Sequence, residues 1–290
     1  MGKDTKGTLG DIHIPEVIKN YPKAVQAYIA GLTHPEATHQ ATITDLQRWW
    51  ADMYGVPNAH IIEGSLGVIG PLSSHASDMS GVVSVDLCDV LRTSGEDYGR
   101  LFDVKSFEEI YTQWGWYNPH SEKGIGSDVL SPLVTGMMVL DGVQPVPEAA
   151  QIKEILLRMK QKGIIILANT STLEGCEPST IRFLKTYFDG CFDGILLPRN
   201  PYGTTTVTKG SILRDAIYLI HELQGQHLMF VAHIDDSPTH VNHVDAIAEE
   251  LDIPFYHAVP RAPWNAHIPG VIHTDTPLAA FEHIERCIAS

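Results

Sequence analysis

Short apolar runs alternate with amphipathic segments through the later part of this 290-residue chain. The runs that begin near Val82, Ile164, Phe192 and Leu228 have the length and composition of buried strands. Between them, apolar residues recur at helical spacing, and Gly163 ends the first helical segment. Since strand–helix–strand units place their strands in parallel, the pattern predicts a doubly wound parallel sheet of the α/β class.

Three of the predicted helices begin at recognisable start signals. Pro178 opens one helix, and Ser211 is placed to cap the next. Ser237 and Pro238 start a further helix after the run near Leu228. These positions set the expected boundaries between strands and helices in the core.

The first 80 residues depart from this rhythm. Residues 1–80 are predicted to form a mostly helical extension to a core domain of residues 81–290. The candidate helices of this extension cover Pro15–Leu32 and Ile43–Tyr54. The proline, glycine and histidine content of the segment favours a separate appendage.

A second departure, residues 92–141, follows directly after the first predicted strand. Chain inserted at that point would lie over the carboxyl edge of the sheet, so we expect a small cap there. The aromatic patch of this insertion includes Trp114, Trp116 and Tyr117. These side chains either contact a substrate or form the minicore of the cap itself.

Composition and charge narrow the classes of function. A formal net charge of −15 disfavours a general nucleic-acid surface or an anionic membrane as a partner. The polar first residues and the lack of a long apolar run predict neither a signal peptide nor a membrane span. The four cysteines form no CxxC pair, so we expect a reduced, cytoplasmic protein. This pattern leaves the oligomeric state open.

Aspartates follow the first and the fourth apolar runs. Asp86 and Asp89 come after the first run, and Asp235 and Asp236 come after the fourth. The carboxyl ends of parallel strands meet at the edge where ligands bind, so these side chains should converge. Carboxylates repel one another unless a cation lies between them, and Mg²⁺ is a hard cation that prefers oxygen ligands. The pattern therefore predicts a metal-assisted enzyme, although an acidic pair at a helix start also satisfies the helix dipole.

Taken in order, the segments resemble the haloacid dehalogenase-like (HAD) superfamily over about two thirds of the chain. The family's first motif is matched by Asp86-Leu87-Cys88-Asp89, and the second by Ala168-Asn169-Thr170. The later helical lysine is matched by Lys209, and the acidic pair by Asp235-Asp236. This resemblance implies a Rossmann-like core and hydrolysis of a small phosphate monoester, such as a sugar phosphate or a nucleotide, with Mg²⁺.

The resemblance also implies a role for each matched residue. Asp86 would attack phosphorus and form an aspartyl-phosphate, while Lys209 would neutralise the charge on Asp86 and on the phosphate. Asp89 would be a displaced acid/base group. The implied metal ligands are Asp86, Cys88, Asp235 and Asp236. The candidate substrate-binding residues are Asn169, Thr170, Trp114, Trp116 and Tyr117.

Two positions depart from the family pattern and keep other functions open. Cys88 stands where most phosphatases of the family carry the acid/base aspartate, and a thiol with a pKa of about 8.5 is a weaker acid at neutral pH. Ala168 stands at the hydroxyl position of the second motif, which leaves Thr170 or Ser171 to supply that hydroxyl. A non-catalytic descendant that binds a phosphorylated ligand or a protein partner is therefore an alternative. Cleavage of a C–halogen or C–P bond is another; the C–P route needs a cap lysine.

Histidines cluster in the sequence around the second acidic pair. His233, His240 and His243 all lie near Asp235, and His240 and His243 share a face of the predicted helix. Their three-residue spacing would suit zinc, but a solvent-facing helix surface is the simpler interpretation.

Overall fold

A computed structural model of the chain describes Arg48 together with residues 59–62, 65–72, 81–93, 144–171, 177–198, 206–225, 228–262 and 265–289. The two candidate helices of the N-terminal extension lie outside these residues, Arg48 apart. The predicted cap also lies outside them, except for Arg92 and Thr93 at its start. Within the described part, no helix combines the length and the apolar character needed to cross a membrane.

The described residues form strands β1 to β8 and helices α1 to α5. In chain order these elements are β1 His60–Ile62, β2 Gly67–Ile69, β3 Gly81–Val85, α1 Ala149–Gln161, β4 Ile165–Asn169, α2 Glu177–Tyr187, β5 Gly194–Leu196, α3 Lys209–Gln224, β6 Phe230–Ile234, α4 Pro238–Leu251, β7 Phe255–Pro260, β8 Ile272–Thr274 and α5 Pro277–Ala289. From β3 to β7, the described strands and helices alternate as the apolar pattern predicted, and β8 follows β7 without a described helix between them.

All eight strands belong to one sheet with the order β1-β2-β5-β4-β3-β6-β7-β8. The six strands from β3 to β8 pair in parallel. The chain runs from β3 outward through β4 to β5, and then returns to β6 on the other side of β3. Ligands of open α/β sheets bind at such a switch point, outside the carboxyl ends of the strands. The predicted α/β class and doubly wound core are confirmed.

The sheet is mixed, because a hairpin of β1 and β2 adds to its edge in antiparallel orientation. Both strands lie within the first 80 residues, which the sequence pattern assigned to a helical extension. The sheet therefore includes two strands from that segment, and the domain boundary at residue 81 stays a prediction. With three residues each, the two strands are too short for apolar alternation to reveal them.

The two faces of the sheet pack under different helices. Alternate residues of a strand point to opposite faces, so Val83 and Val85 join the core cluster formed with α1, α2 and α5. Val82 joins the cluster formed with α3 and α4 on the other face. Ser84 and Asp86 follow Val82 at the same two-residue spacing. The face under α3 and α4 therefore carries the polar residues of the central strand.

The start of α3 differs from the sequence-based expectation. Thr208 caps this helix, because its Oγ1 accepts a hydrogen bond of 3.0 Å from the Ser211 backbone N–H. The Ser211 hydroxyl in turn accepts a bond of 2.9 Å from the Thr208 N–H, which completes a capping box. The prediction that Ser211 is the cap was therefore wrong by one turn. The earlier start makes Lys209 the first residue of the helix. The predicted start of α4 is confirmed, with Ser237 as cap and Pro238 as first residue.

Helices α3 and α4 approach each other closely at Gly210. A Cβ atom at this position would collide with the backbone carbonyl oxygen of His243, and a carbonyl cannot rotate away as a side chain could. We expect Gly210→Ala to lower the free energy of unfolding by about 1–3 kcal/mol, since the helices must separate. Chemical denaturation measures this change. Gly190→Asn is the control, because Gly190 has open space around it and asparagine tolerates its φ of 78°. Equal stability of the two variants would contradict the close approach.

Candidate functional site

Asp86 and Asp235 lie side by side at the carboxyl edge of the sheet, next to the switch point. Each residue directly follows its strand, β3 or β6, and these two strands are neighbours with Val85 opposite Ile234. The Asp86 backbone N–H continues the pairing by donating to the Ile234 carbonyl at 2.9 Å. Both carboxylates are buried, at 4% and 0% exposure. The parallel register thus brings together two groups that are far apart in the chain.

Lys209 joins the two carboxylates. Its Nζ lies 2.8 Å from Asp86 Oδ1 and 2.6 Å from Asp235 Oδ2, and its side chain is fully buried. Burial alone would lower the pKa of Lys209, but the Asp235 and Asp86 carboxylates outweigh it and raise that pKa. Burial would likewise raise the pKa of Asp235, yet Lys209 and the neighbouring histidines hold it well below its usual value. The two carboxylates and one ammonium group leave a net negative charge in the cluster.

Asp236 has a different electrostatic character from Asp235. Burial, followed by the negative charges of Asp89, Asp235 and Asp86, raises the pKa of Asp236 well above its usual value. The charge of Lys209 acts in the opposite direction but does not outweigh these causes. Its backbone carbonyl accepts a hydrogen bond of 2.9 Å from the Asn265 side-chain amide, which anchors the turn after β6. Its predicted role as a metal ligand stays a prediction.

Cys88 and Asp89 form a tight turn behind Asp86. Asp89 adopts a left-handed backbone conformation with a φ of 54°, which aspartate tolerates better than most residues. The Cys88 sulfur accepts a hydrogen bond of 3.0 Å from Nη2 of Arg92, whose side chain is buried. The predicted acid/base role of Asp89 and metal role of Cys88 stay predictions.

His240 completes a group that can hold a metal ion. Within the described part of the chain, ligand atoms of Asp86, Asp235 and His240 all lie within 4.8 Å of one another. His240 Nδ1 lies 3.4 Å from Asp235 Oδ1, and its Nε2 lies 3.3 Å from the Ser171 hydroxyl. The sequence interpretation favoured a solvent-facing surface for this histidine, and the structure instead turns it to the carboxylates. The sequence feature that could have identified His240 is its position five residues after Asp235, in the first turn of α4.

A buried polar network supports the cluster from behind, and the sequence analysis did not identify it. The Asn169 side-chain amide donates to the Ser84 hydroxyl at 3.2 Å and to the Lys209 carbonyl at 3.1 Å. His233 Nδ1 lies 3.1 Å from the same hydroxyl, and its Nε2 lies 3.3 Å from Asp235 Oδ2. The sequence feature that could have revealed this network is a polar residue within each of two apolar strands, Ser84 in β3 and His233 in β6. The parallel register pairs these two residues. The network ties the ends of three strands to the lysine and the aspartate.

Several polar atoms at this edge are buried without a protein hydrogen-bond partner among the described residues. They are Thr170 Oγ1, Ser237 Oγ and Asn169 Oδ1. An unsatisfied buried polar group costs about 1–3 kcal/mol, so three of them at one edge favour a site built for a ligand. The Ala168 side chain instead belongs to the core cluster on the opposite face, under α1, α2 and α5.

The predicted contacts from the cap fall on residues that the structure does not describe. Trp114, Trp116 and Tyr117 lie outside the described residues, as do Lys105 and Lys123, the lysines between residues 92 and 141 that a C–P cleavage route would need. Their roles stay predictions.

Comparison with known proteins shows only distant likeness. No family model matches the sequence, and no curated protein matches it. One similar solved structure is a "putative haloacid dehalogenase-like hydrolase" from Burkholderia xenovorans. It is 12% identical with a TM-score of 0.39, over 70% of this chain and 98% of that chain. A likeness at this level assigns no activity.

Proposed function

We propose that this chain is a HAD-like hydrolase that cleaves a small phosphate monoester with the help of a divalent metal ion. The observation that carries the proposal is the buried cluster of Asp86, Lys209 and Asp235 at the switch point of the sheet. A fold by itself does not select an activity, whereas the chemistry of these side chains does. They are the residues that the motif resemblance assigned to phosphoryl transfer.

The cluster suits a divalent cation. Asp86 and Asp235 would hold it, since an oxygen of each carboxylate lies within 4.8 Å of the other at the edge of the sheet. The net negative charge of the cluster also favours a cation. Mg²⁺, the ion used in the family that the chain resembles, would screen the phosphate from Asp86 and polarise the phosphoryl oxygens when bound.

In the proposed reaction, a carboxylate oxygen of Asp86 attacks the phosphorus of the ester. The P–O bond to the alcohol breaks, the leaving oxygen takes a proton from Asp89, the proposed acid/base group, and an aspartyl-phosphate forms. Water then attacks that phosphorus and gives a proton back to Asp89, which releases inorganic phosphate and restores the Asp86 carboxylate. Lys209 stabilises the charge that spreads over the phosphoryl oxygens during both steps.

Hydroxyl groups at the edge of the sheet would bind the phosphate. Thr170 and Ser237 carry buried hydroxyls with unused hydrogen-bonding capacity among the described residues, and each can donate to a phosphoryl oxygen. The Asn169 amide, tied to Ser84, would position the end of β4 rather than contact the ester. The rest of the substrate would reach the aromatic patch of the proposed cap.

A screen of phosphate esters with and without Mg²⁺ tests this function, and Cys88→Asp sharpens it. The substitution restores a carboxylic acid at the family's usual acid/base position. We expect a rise in rate on the order of a hundredfold for esters with poor leaving groups. For p-nitrophenyl phosphate we expect little change, since its leaving group needs no proton. Absence of turnover by both the wild type and Cys88→Asp, with every ester tried, would contradict the proposal.

The contact between Arg92 and Cys88 supports a second candidate, a protein that binds a phosphorylated ligand without cleaving it. The sulfur accepts a hydrogen bond from a buried guanidinium group, so Cys88 is held in a structural contact at the position where the family carries its acid. A phosphate analogue that binds with micromolar affinity to a protein without turnover would favour this candidate.

A further inference from the structure

The position of His240 adds a nitrogen ligand to a site expected to be lined with oxygen. Its imidazole lies in one group with the Asp86 and Asp235 carboxylates, and the ligand atoms are mutually within 4.8 Å. Asp235 Oδ1 also accepts the Ser237 N–H at 2.8 Å, which fixes the turn that leads to the histidine. We infer that His240 is a third protein ligand, so that the site binds a first-row transition metal through two carboxylates and one imidazole.

Ligand chemistry supports this assignment. Mg²⁺ prefers oxygen ligands in a regular octahedron, whereas imidazole suits transition metals such as Zn²⁺ and their neighbours. Replacing an oxygen ligand by an imidazole therefore strengthens binding of a transition metal and does little for Mg²⁺. The metal preference of the site would depend on this one side chain.

The surroundings of the imidazole match those of a metal-bound histidine. Such a histidine usually donates its second ring N–H to an oxygen, and this fixes the ring and its tautomer. Here a partner lies on each side, with Asp235 Oδ1 near Nδ1 and the Ser171 hydroxyl near Nε2. If Nε2 binds the metal, the Nδ1–H can donate to Asp235 Oδ1 at 3.4 Å. If Nδ1 binds the metal, the Nε2–H can donate to the Ser171 hydroxyl at 3.3 Å. The buried hydroxyls of Thr170 and Ser237 give the same edge further polar atoms for a bound phosphate.

The test measures metal binding directly on the full chain after removal of metals with a chelator. Titration calorimetry gives the affinities for Co²⁺ and Mg²⁺, and the visible spectrum of bound Co²⁺ reports nitrogen ligation. We expect His240→Gln to weaken Co²⁺ binding at least about tenfold and to change the spectrum, because losing even an outer partner of a ligand typically costs that much. Its effect on Mg²⁺ affinity should stay under about threefold, within the range of indirect effects. Asp235→Asn should weaken the binding of both Co²⁺ and Mg²⁺, which would show that the measured binding occurs at this site.

His243→Gln is the matched control, since His243 lies one turn further along the same helix and outside the ligand group. It should leave both affinities and the Co²⁺ spectrum as in the wild type. His240→Asp replaces the nitrogen by oxygen and should lower the ratio of Co²⁺ to Mg²⁺ affinity. The ratio is the deciding quantity, because transition metals bind more tightly than Mg²⁺ even to many oxygen sites. Equal ratios for the wild type, His240→Gln and His240→Asp would overturn the inference.

The role of the bound metal in catalysis rests on the proposed function. The binding of a transition metal through His240 does not depend on that function. Co²⁺ binding that depends on His240, without turnover of any ester, would support the ligand and contradict the hydrolase. Ester hydrolysis with Mg²⁺ and a Co²⁺ affinity indifferent to His240 would support the hydrolase and contradict the ligand.

Discussion

Asp86→Asn is expected to reduce turnover of any phosphate ester at least about a thousandfold, because an amide neither attacks phosphorus nor binds a cation well. The fold should survive, since asparagine keeps the shape and Lys209 keeps its contact of 2.6 Å with Asp235. Initial rates with p-nitrophenyl phosphate and circular dichroism of the same sample test both halves of this prediction.

Two further aspartate variants test whether the loss of turnover is specific to Asp86. Asp215→Asn alters a half-buried aspartate on α3 that pairs with Arg214 away from the site, so it should leave the rate unchanged. Asp89→Asn removes the proposed acid/base group and should reduce the rate on poor leaving groups more than on p-nitrophenyl phosphate. If Asp86→Asn retained most of the wild-type rate, Asp86 would not be the nucleophile and the proposed mechanism would be wrong.

Lys209→Met is expected to cause the largest loss of stability, on the order of 3–5 kcal/mol at neutral pH, because it leaves two buried carboxylates without their cation. Methionine keeps most of the volume of the side chain, so the loss reports charge rather than a cavity. Urea unfolding in the presence of a chelator measures it, since a bound metal would replace part of the missing charge.

The pH dependence of this loss follows from the shifted carboxylate. In the wild type, Lys209 and the histidines overcome burial and keep the pKa of Asp235 low, so the ionised group stabilises the fold above its unfolded pKa of about 4. Without Lys209, burial raises the pKa of Asp235, and the variant loses stability as the pH rises from the unfolded pKa of about 4 towards the raised pKa of the folded state. The difference between wild type and variant should therefore be widest near pH 8 and narrow towards pH 5.

A control and a double variant separate charge from other effects. Lys185→Met changes an exposed lysine on α2 and should alter stability by less than about 0.5 kcal/mol. Adding Asp235→Asn to Lys209→Met should recover part of the stability, because it removes one of the two uncompensated charges. A Lys209→Met protein as stable as the Lys185→Met protein would contradict the buried ion-pair geometry.

The sequence by itself determined the local elements of the core and the residues that end its strands. Apolar runs and helical spacing are local properties, so they located β3, β4, β6 and the helices between them to within a few residues. They also placed Asp86 and Asp235 at strand ends, and parallel pairing then implied a shared edge. The start of α3 was missed because Thr208 and Ser211 are both good caps, and only the folded turn selects between them.

Only the tertiary structure decided which side chains complete the site. The hairpin of β1 and β2 joins the sheet through pairing with β5, a long-range contact that no local period encodes. Ser84 and His233 become partners only when β3 and β6 pair in register, and His240 reaches the carboxylates only because the turn after β6 folds back on Asp235. These contacts depend on the packing of segments that are far apart in the chain. No single window of the sequence therefore reveals them.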